Sequence, residues 1–452
     1  MMAAEPTSPA GPGALAPARF AKLPLGPHTL LILFVVNALI LVAIQLAPEL
    51  FGAGKVMDYP LWFWAGRQVL TGGDLYAVGG QPNFDFLYPP TAAVLLAPFS
   101  LFGPAFSILG IVLVTLASWW ASAALSDRLS GYDGPKAWWV VALPSVLMLP
   151  IIYETFNLGQ PNLMLLALML AGLALLQSER QGSAGALFAL AASLKAFPVA
   201  ILPYLLWRRR WRAAFAMTIG LGVFLLIAPA PFRGFERNLQ EVKAWTDGMV
   251  FSASQDGFGQ RLQQNWSWKN NSLIAITHRL LRPVDAELTD SGAAPLYVNV
   301  LDLSYRQTNF ALVAIAGLIG VGFCCVIPRE RRRSRRSDAS EFGLLLWLIT
   351  IASPLARDYY FIWMLFPITV LVYDAALEPS AGVRRITWAL LAAAAVLFSI
   401  GLFFGSDHRP PALGNWFWAT TVVAGGLVWR LRRAVPASAY GDAPAPSPAL
   451  AR

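Results

Sequence analysis

The chain has 452 residues, 57% of them hydrophobic and only 13% charged, with a mean hydropathy of +0.55. A soluble chain of that length would make two or three domains; this composition excludes them and describes a protein that crosses a bilayer many times. The formal charge of +9 does not indicate nucleic acid, because Lys and Arg lie in short clusters between apolar runs, where they set membrane orientation.

In chain order, residues 1–28 are rich in Ala, Pro and Gly and read as a disordered cytoplasmic tail. Residues 29–432 read as one transmembrane domain, and 433–452 as a second cytoplasmic tail. Runs apolar enough to cross lie near 29–47, 104–125, 137–152, 163–177, 212–230, 307–327, 341–356, 359–374, 386–404 and 414–429. Between Ala184 and Trp207 a longer run is interrupted by Lys195 and Pro198, which predicts two short helices forming a hairpin. The fold class is therefore an all-α polytopic bundle of about 10–12 transmembrane helices. Cys324 and Cys325 are adjacent inside one of the apolar runs and suit neither a disulfide framework nor a zinc site.

The basic clusters are Arg19 with Lys22, Arg128 with Lys136, Arg208–Arg212, RERRRSRR at 329–336, Arg384 with Arg385, and Arg430–Arg433. All of them fall on the cytoplasmic side only if the 184–207 run crosses twice, and both termini then lie inside. The same topology sends the large loops 48–90 and 231–306 to the outer side, together with the polar motifs.

Asp58 sits among Tyr59, Trp62, Phe63 and Trp64, and Tyr59–Leu70 is patterned as an amphipathic helix lying in the outer interface. Such an Asp is either a helix N-cap or a carboxylate held against rings as a general base. Tyr88 opens the YPP element, whose prolines end the loop and let a helix start. Asp74 and Asp85 add carboxylates that could bind a sugar or a metal. In NLGQPN, the amides of Asn157, Gln160 and Asn162 either satisfy free N–H groups at a helix start or meet sugar hydroxyls. Lys195, at the tip of a membrane hairpin, must snorkel or find a partner, and a lipid phosphate would serve. Asn270 and Ser272 in WSWKNNSL, and Arg357, Asp358 and Tyr359 in ASPLARDYYF, complete the outer polar set; Arg357 is either paired locally with Asp358 or free for a phosphate.

Taken in order, these pieces resemble glycosyltransferase family 87: an early outer Asp before an aromatic helix, GxDLY (Gly73, Asp74, Leu75, Tyr76), YPP, GQPN, SLKxxP followed by a Trp-Arg cluster, Asn-x-Ser-Leu, and a late Ser-Pro turn. That family comprises polyprenol-phosphate-mannose-dependent mannosyltransferases of the GT-C superfamily. The resemblance implies that Asp58 is the catalytic base and that Gln160, Asn162 and Lys195 line the donor site. In the late turn Arg357 and Tyr359 stand where the family often has an aromatic residue and a histidine.

The expectation is thus an inverting transferase that moves a hexosyl group, most plausibly mannose, from a polyprenyl-phosphate donor to a lipid or glycan acceptor. Its site would lie on the outer face of the plasma (inner) membrane. Asp58 would act as base, and Lys195 or Arg357 would hold the phosphate with Gln160 and Asn162. Asp74, Tyr88, Asn157, Asn270, Ser272, Asp358 and Tyr359 are candidate substrate contacts. No cofactor, metal or nucleic-acid partner is expected. The alternative is a polytopic transporter or lipid-binding protein without transferase activity, although no internal repeat is evident.

Overall fold

The structure, a computed structural model, describes residues 27–52, 57–76, 86–248, 266–288, 293–328 and 333–433. Both expected tails lie almost entirely outside the described residues, as do Asp85 and the Arg19 and Lys22 cluster. Among the described residues all regular structure is helical.

The first helices are α1 (Pro27–Phe51), α2 (Tyr59–Thr71), α3 (Pro90–Leu96), α4 (Pro104–Leu129), α5 (Trp138–Leu147) and α6 (Leu149–Asn157). They are followed by α7 (Asn162–Gln177), α8 (Gln181–Leu194), α9 (Ile201–Trp207), α10 (Trp211–Gly222), α11 (Ala230–Arg233), α12 (Phe235–Thr246) and α13 (Leu273–Leu281). The chain ends with α14 (Tyr305–Val326), α15 (Arg335–Ala352), α16 (Leu365–Leu377), α17 (Ala381–Ser399), α18 (Arg409–Ala412) and α19 (Asn415–Arg433).

Among the described residues six stretches are long and apolar enough to cross a membrane, and the α5–α6 pair, bent by 54°, makes a seventh if it is one span. The bend falls where Pro144 and Pro150 remove helical N–H donors. The expected ten to twelve crossings are therefore not all full-length helices. The 16 residues of α7 and the 14 of α8 reach only about 24 and 21 Å, because α7 starts and α8 ends at a polar site set inside the bundle.

The 184–207 run is a hairpin as its pattern predicts. Its α8 arm ends at Lys195, a 3-10 turn (Phe197–Ala200) follows, and α9 returns the chain. An ion pair between Glu179 and Arg210, 2.9 Å, closes the base.

Ion pairs also gather the described basic clusters at one end of the bundle. Lys136 meets Asp127, Arg335 meets Asp133, Arg336 meets Glu378, Arg430 meets Asp374, and Arg208 and Arg333 converge on the fully buried Glu341. A buried carboxylate facing two guanidiniums and the Tyr204 hydroxyl is compensated rather than stranded.

The segment 358–377 runs through the centre, 89% of its apolar window buried, whereas the corresponding windows of α1 and α14 are 11% and 0% buried. An all-apolar exposed surface of that kind belongs against lipid. The apolar face of α2 is packed on protein: Tyr59, Trp62, Ala65, Gly66 and Val69 are buried against α3, α4 and the 3-10 turn Ala97–Ser100.

Candidate active site

The site lies at the end of the bundle opposite the basic clusters, where α2, α6, α7, the hairpin tip and the turn before α16 converge. Asp58 occupies the N-cap position of α2, yet its side chain makes no cap hydrogen bond. Pro60 starts the helix with a preset φ, and Gly72, at φ 71°, ends it. The Asp58 side chain is left free to face the site, and its Oδ2 accepts a hydrogen bond from Gln160 Nε2 at 2.7 Å. Asp58 thus holds the N-cap position through its backbone without using its side chain as the cap.

Gln160 is buried and both ends of its amide are engaged. Its Oε1 accepts from the Tyr88 hydroxyl at 2.8 Å and from Lys195 Nζ at 3.2 Å. The amide's orientation follows from its neighbours: the reverse placement would set NH₂ against an ammonium and oxygen against a carboxylate. Asn162, fully buried, accepts from Lys195 Nζ at 3.1 Å through Oδ1 and donates to the Tyr359 carbonyl at 3.0 Å. Two amides thus hold Lys195 from below.

Three rings hold it from the sides. Lys195 Nζ lies 4.3 Å from the Tyr360 ring centre, 5.2 Å from that of Tyr359 and 5.3 Å from that of Tyr88. Among the described residues no carboxylate lies within ion-pair distance of it. Amide oxygens and ring faces stabilise an ammonium without neutralising it, as a carboxylate would.

Gly159 turns the chain into this arrangement at φ 62°. A Cβ there would meet the Tyr59 ring at 3.1 Å and Trp62 Nε1 at 3.3 Å, so the GQPN glycine is required both by its backbone conformation and by lack of room. The Tyr59 hydroxyl donates to the Phe156 carbonyl at 2.6 Å and fastens α2 to α6.

Beside these groups runs an apolar cleft, open on one side. Trp62, Tyr88, Gly159, Pro161 and Leu194 form its polar-site end, and Leu95, Phe99, Ile111 and Val114 continue it.

The remaining candidates divide. Arg357 is exposed at the start of the 3-10 helix Asp358–Met364, close enough for its charge to act on Lys195 and on Asp358. No Arg357–Asp358 ion pair forms among the described residues; Asp358 Oδ1 accepts instead from the Tyr359 N–H at 2.8 Å. Asn157 donates to Glu154 at 3.3 Å. Asp74 is not at the site. It is a 70% exposed partner of Arg237, which also reaches Glu241 one helical turn on.

Asn270 and Ser272 serve the Ser-Pro turn. Asn270 donates to the Pro354 carbonyl and accepts from the Ala356 and Ser272 N–H groups, while Ser272 caps α13. Their polar atoms are taken up by backbone.

Glu154 and Tyr360 complete the site and were not among the candidate residues. Glu154 lies where the charges of Asp358 and Asp58 act on it, and its only signal in sequence is a lone acid in the apolar run before NLGQPN. Among the described residues, no three His, Cys, Asp or Glu side chains come together to hold a metal ion.

The sequence profile described as Glycosyltransferase family 87 matches residues 86–354, more than half of the chain. The chain belongs to glycosyltransferase family 87. Over 320 residues it is 24% identical to the Mycobacterium tuberculosis polyprenol-phosphate-mannose-dependent alpha-(1-2)-phosphatidylinositol pentamannoside mannosyltransferase, covering 69% of this chain and 64% of that protein, just under two thirds of its length. Over 408 residues it is 24% identical to the Mycolicibacterium smegmatis polyprenol-phosphate-mannose-dependent alpha-(1-2)-phosphatidylinositol mannoside mannosyltransferase, covering 82% and 81%. Among solved structures it is similar to ArnT from Cupriavidus metallidurans bound to undecaprenyl phosphate, with a TM-score of 0.39, 13% identity, and coverage of 90% of this chain and 78% of that one. The family 87 match takes in YPP, GQPN, Lys195, Asn270 and Ser353, but begins after Asp58. The place of Asp58 in the site therefore rests on its bond to Gln160.

Proposed function

We propose that the chain is an integral membrane glycosyltransferase that moves a hexosyl group, mannose in our reading, from a polyprenyl-phosphate donor to a lipid or glycan acceptor by inverting single displacement. Family membership and the donor and acceptors named for its two mycobacterial relatives support this. The observation that carries it is the meeting of a carboxylate and an ammonium on one amide, Asp58–Gln160–Lys195, beside an apolar cleft.

In this mechanism the polyprenyl chain lies in the cleft and its phosphate sits at Lys195, within the field of Arg357. The acceptor hydroxyl gives its proton to Asp58, and its oxygen forms the new bond to the anomeric carbon. The carbon–oxygen bond to the phosphate breaks, and the phosphate leaves with the electron pair. A phosphate is already a good leaving group, so the protein supplies cations to hold it and no strong acid. These cations are side chains, and the reading requires no metal. Because the basic clusters share one end of the bundle and the site occupies the other, the positive-inside rule supports a site facing away from the cytoplasm.

The test is transfer from radiolabelled polyprenyl-phosphate-mannose into a total lipid extract by purified protein, wild type against Asp58→Asn. Label moving into a new product with wild type and not with Asp58→Asn supports the reading. Saturable donor binding without transfer to any acceptor would point to a lipid-binding protein or a transporter.

A further inference from the structure

Gln160 has so far been a candidate donor contact. Its hydrogen bonds assign it a different task. The amide presents its oxygen to Tyr88 and Lys195 and its nitrogen to Asp58 Oδ2, and it is 3% exposed. Little of its surface is left for a substrate. Asp58, by contrast, has one engaged oxygen: among the described residues Oδ1 has no hydrogen-bond partner.

We propose that Gln160 is the positioning residue of this site, holding Asp58 by Oδ2 so that Oδ1 alone takes the acceptor proton, and tying that carboxylate to the ammonium that receives the departing phosphate. This rests on the reading of Asp58 as base and Lys195 as phosphate holder.

The geometry makes the task specific. A carboxylate on a two-torsion side chain at a helix start can turn through many directions, and a general base works only when one lone pair faces the proton it takes. The Asp58 side chain has no cap bond to hold it, so Gln160 is what fixes its plane. Gln160 is held in turn: Tyr88 pins the oxygen, the Tyr76 hydroxyl donates to the Tyr88 carbonyl at 2.5 Å, and the Tyr88 ring packs 4.5 Å from Trp62. The base is thus supported by a buried aromatic cluster through a single amide, and Trp62 in that cluster belongs to the same helix that begins after Asp58. Lys195 does not depend on Gln160 alone, because Asn162 and three rings also hold it. Loss of Gln160 should therefore affect the base far more than the phosphate site.

The experiment measures donor KM and kcat in full-length enzyme, with radiolabelled polyprenyl-phosphate-mannose and the total lipid extract, for wild type, Gln160→Met, Gln160→Asn, Asp58→Glu and Asp58→Glu combined with Gln160→Met. Donor binding is read separately by saturation. Gln160→Met should lower kcat about 100-fold, as misplacement of a catalytic group does, with donor KM and binding within about threefold of wild type. Gln160→Asn, which keeps the amide, should recover part of the loss. In the Asp58→Glu background, where Oδ2 is already displaced, removing Gln160 should cost less than about fivefold, the non-additivity expected of residues acting as a unit. A rise in donor KM with kcat unchanged would overturn the proposal and leave Gln160 a donor contact. So would full additivity with Asp58→Glu. If Gln160→Met does not fold, Gln160→Asn and its combination with Asp58→Glu carry the same comparison. Retention of turnover by Asp58→Asn would instead sink the underlying reading, whatever Gln160 does.

Discussion

Glu179 and Arg210, 31 residues apart, meet at 2.9 Å and close the base of a hairpin whose tip carries Lys195. The pair is partly exposed and contributes little stability by itself. Its importance is topological: α8 and α9 enter and leave the bundle at the same end, so every described basic cluster stays at that end. The structure therefore predicts that Asp133→Cys and Tyr297→Cys, both at exposed positions, react with membrane-impermeant thiol reagents from opposite faces of the membrane. Cys324 and Cys325 are exposed on α14 and must first be replaced by Ala. Labelling of both positions from one face would contradict the hairpin and the sidedness built on it.

Lys195→Met should lower kcat/KM for the donor by about 10- to 100-fold, the range expected for losing a hydrogen bond to a charged group. The loss should appear mainly in donor binding. Arg357→Gln should cost less, because Arg357 is exposed and solvent screens it. Donor titration by saturation binding separates the two variants. Equal effects would mean that the phosphate sits outside the ring of Tyr88, Tyr359 and Tyr360.

Gly159→Ala tests how far the site depends on one turn. An alanine at φ 62° costs about 1–2 kcal/mol of backbone strain, and its Cβ would press on Tyr59 and Trp62. The neighbouring Gln160 would shift with it. Turnover should fall about tenfold or more, with an intact protein by gel filtration. Wild-type turnover would show that the turn tolerates a side chain and that the contacts at Tyr59 and Trp62 relax.

The reach of the sequence differs from residue to residue. The polar tip of the 184–207 hairpin was legible because Lys195 and Pro198 interrupt an apolar run, and a buried cation must be partnered wherever it falls. Asn162 and Gln160 were legible as amides at a helix start, but their partners were not: the Gln160–Asp58 bond spans 102 residues and the Asn162–Tyr359 bond 197. Asp74 read as a candidate substrate contact, and only the fold shows that Arg237, 163 residues away, takes it. Asn270 and Ser272 occupied a family-like motif, yet turns and caps use the same residue types as sugar sites. The burial of α2 was hidden for a related reason, since a Trp-rich amphipathic pattern fits an interface and a packed groove equally well. Tyr360 follows Tyr359 in a 3-10 turn, and no periodicity in the sequence shows that both rings face the lysine.

The region around α13 carries a pH dependence of its own. His278 in α13 is fully buried, and burial together with the Arg282 charge pushes its imidazole down to about 4. Arg282 lies 3.3 Å from Nδ1 and can only donate, so Nδ1 accepts and Nε2 carries the proton towards Asn309 Oδ1 at 3.1 Å. Protonating Nδ1 would break the first bond and place two cations side by side, next to the Trp266 ring that both groups pack against. Because the folded value lies below the unfolded one of about 6.5, the neutral form's stabilisation is complete above pH 6.5 and is lost as the pH falls from 6.5 towards 4, amounting to at most about 3 kcal/mol. Thermal unfolding of the purified protein should therefore decline over that window, and His278→Gln should flatten the decline while lowering stability near neutrality. An unchanged slope in His278→Gln would assign the acid sensitivity to other groups and leave His278 a packing residue.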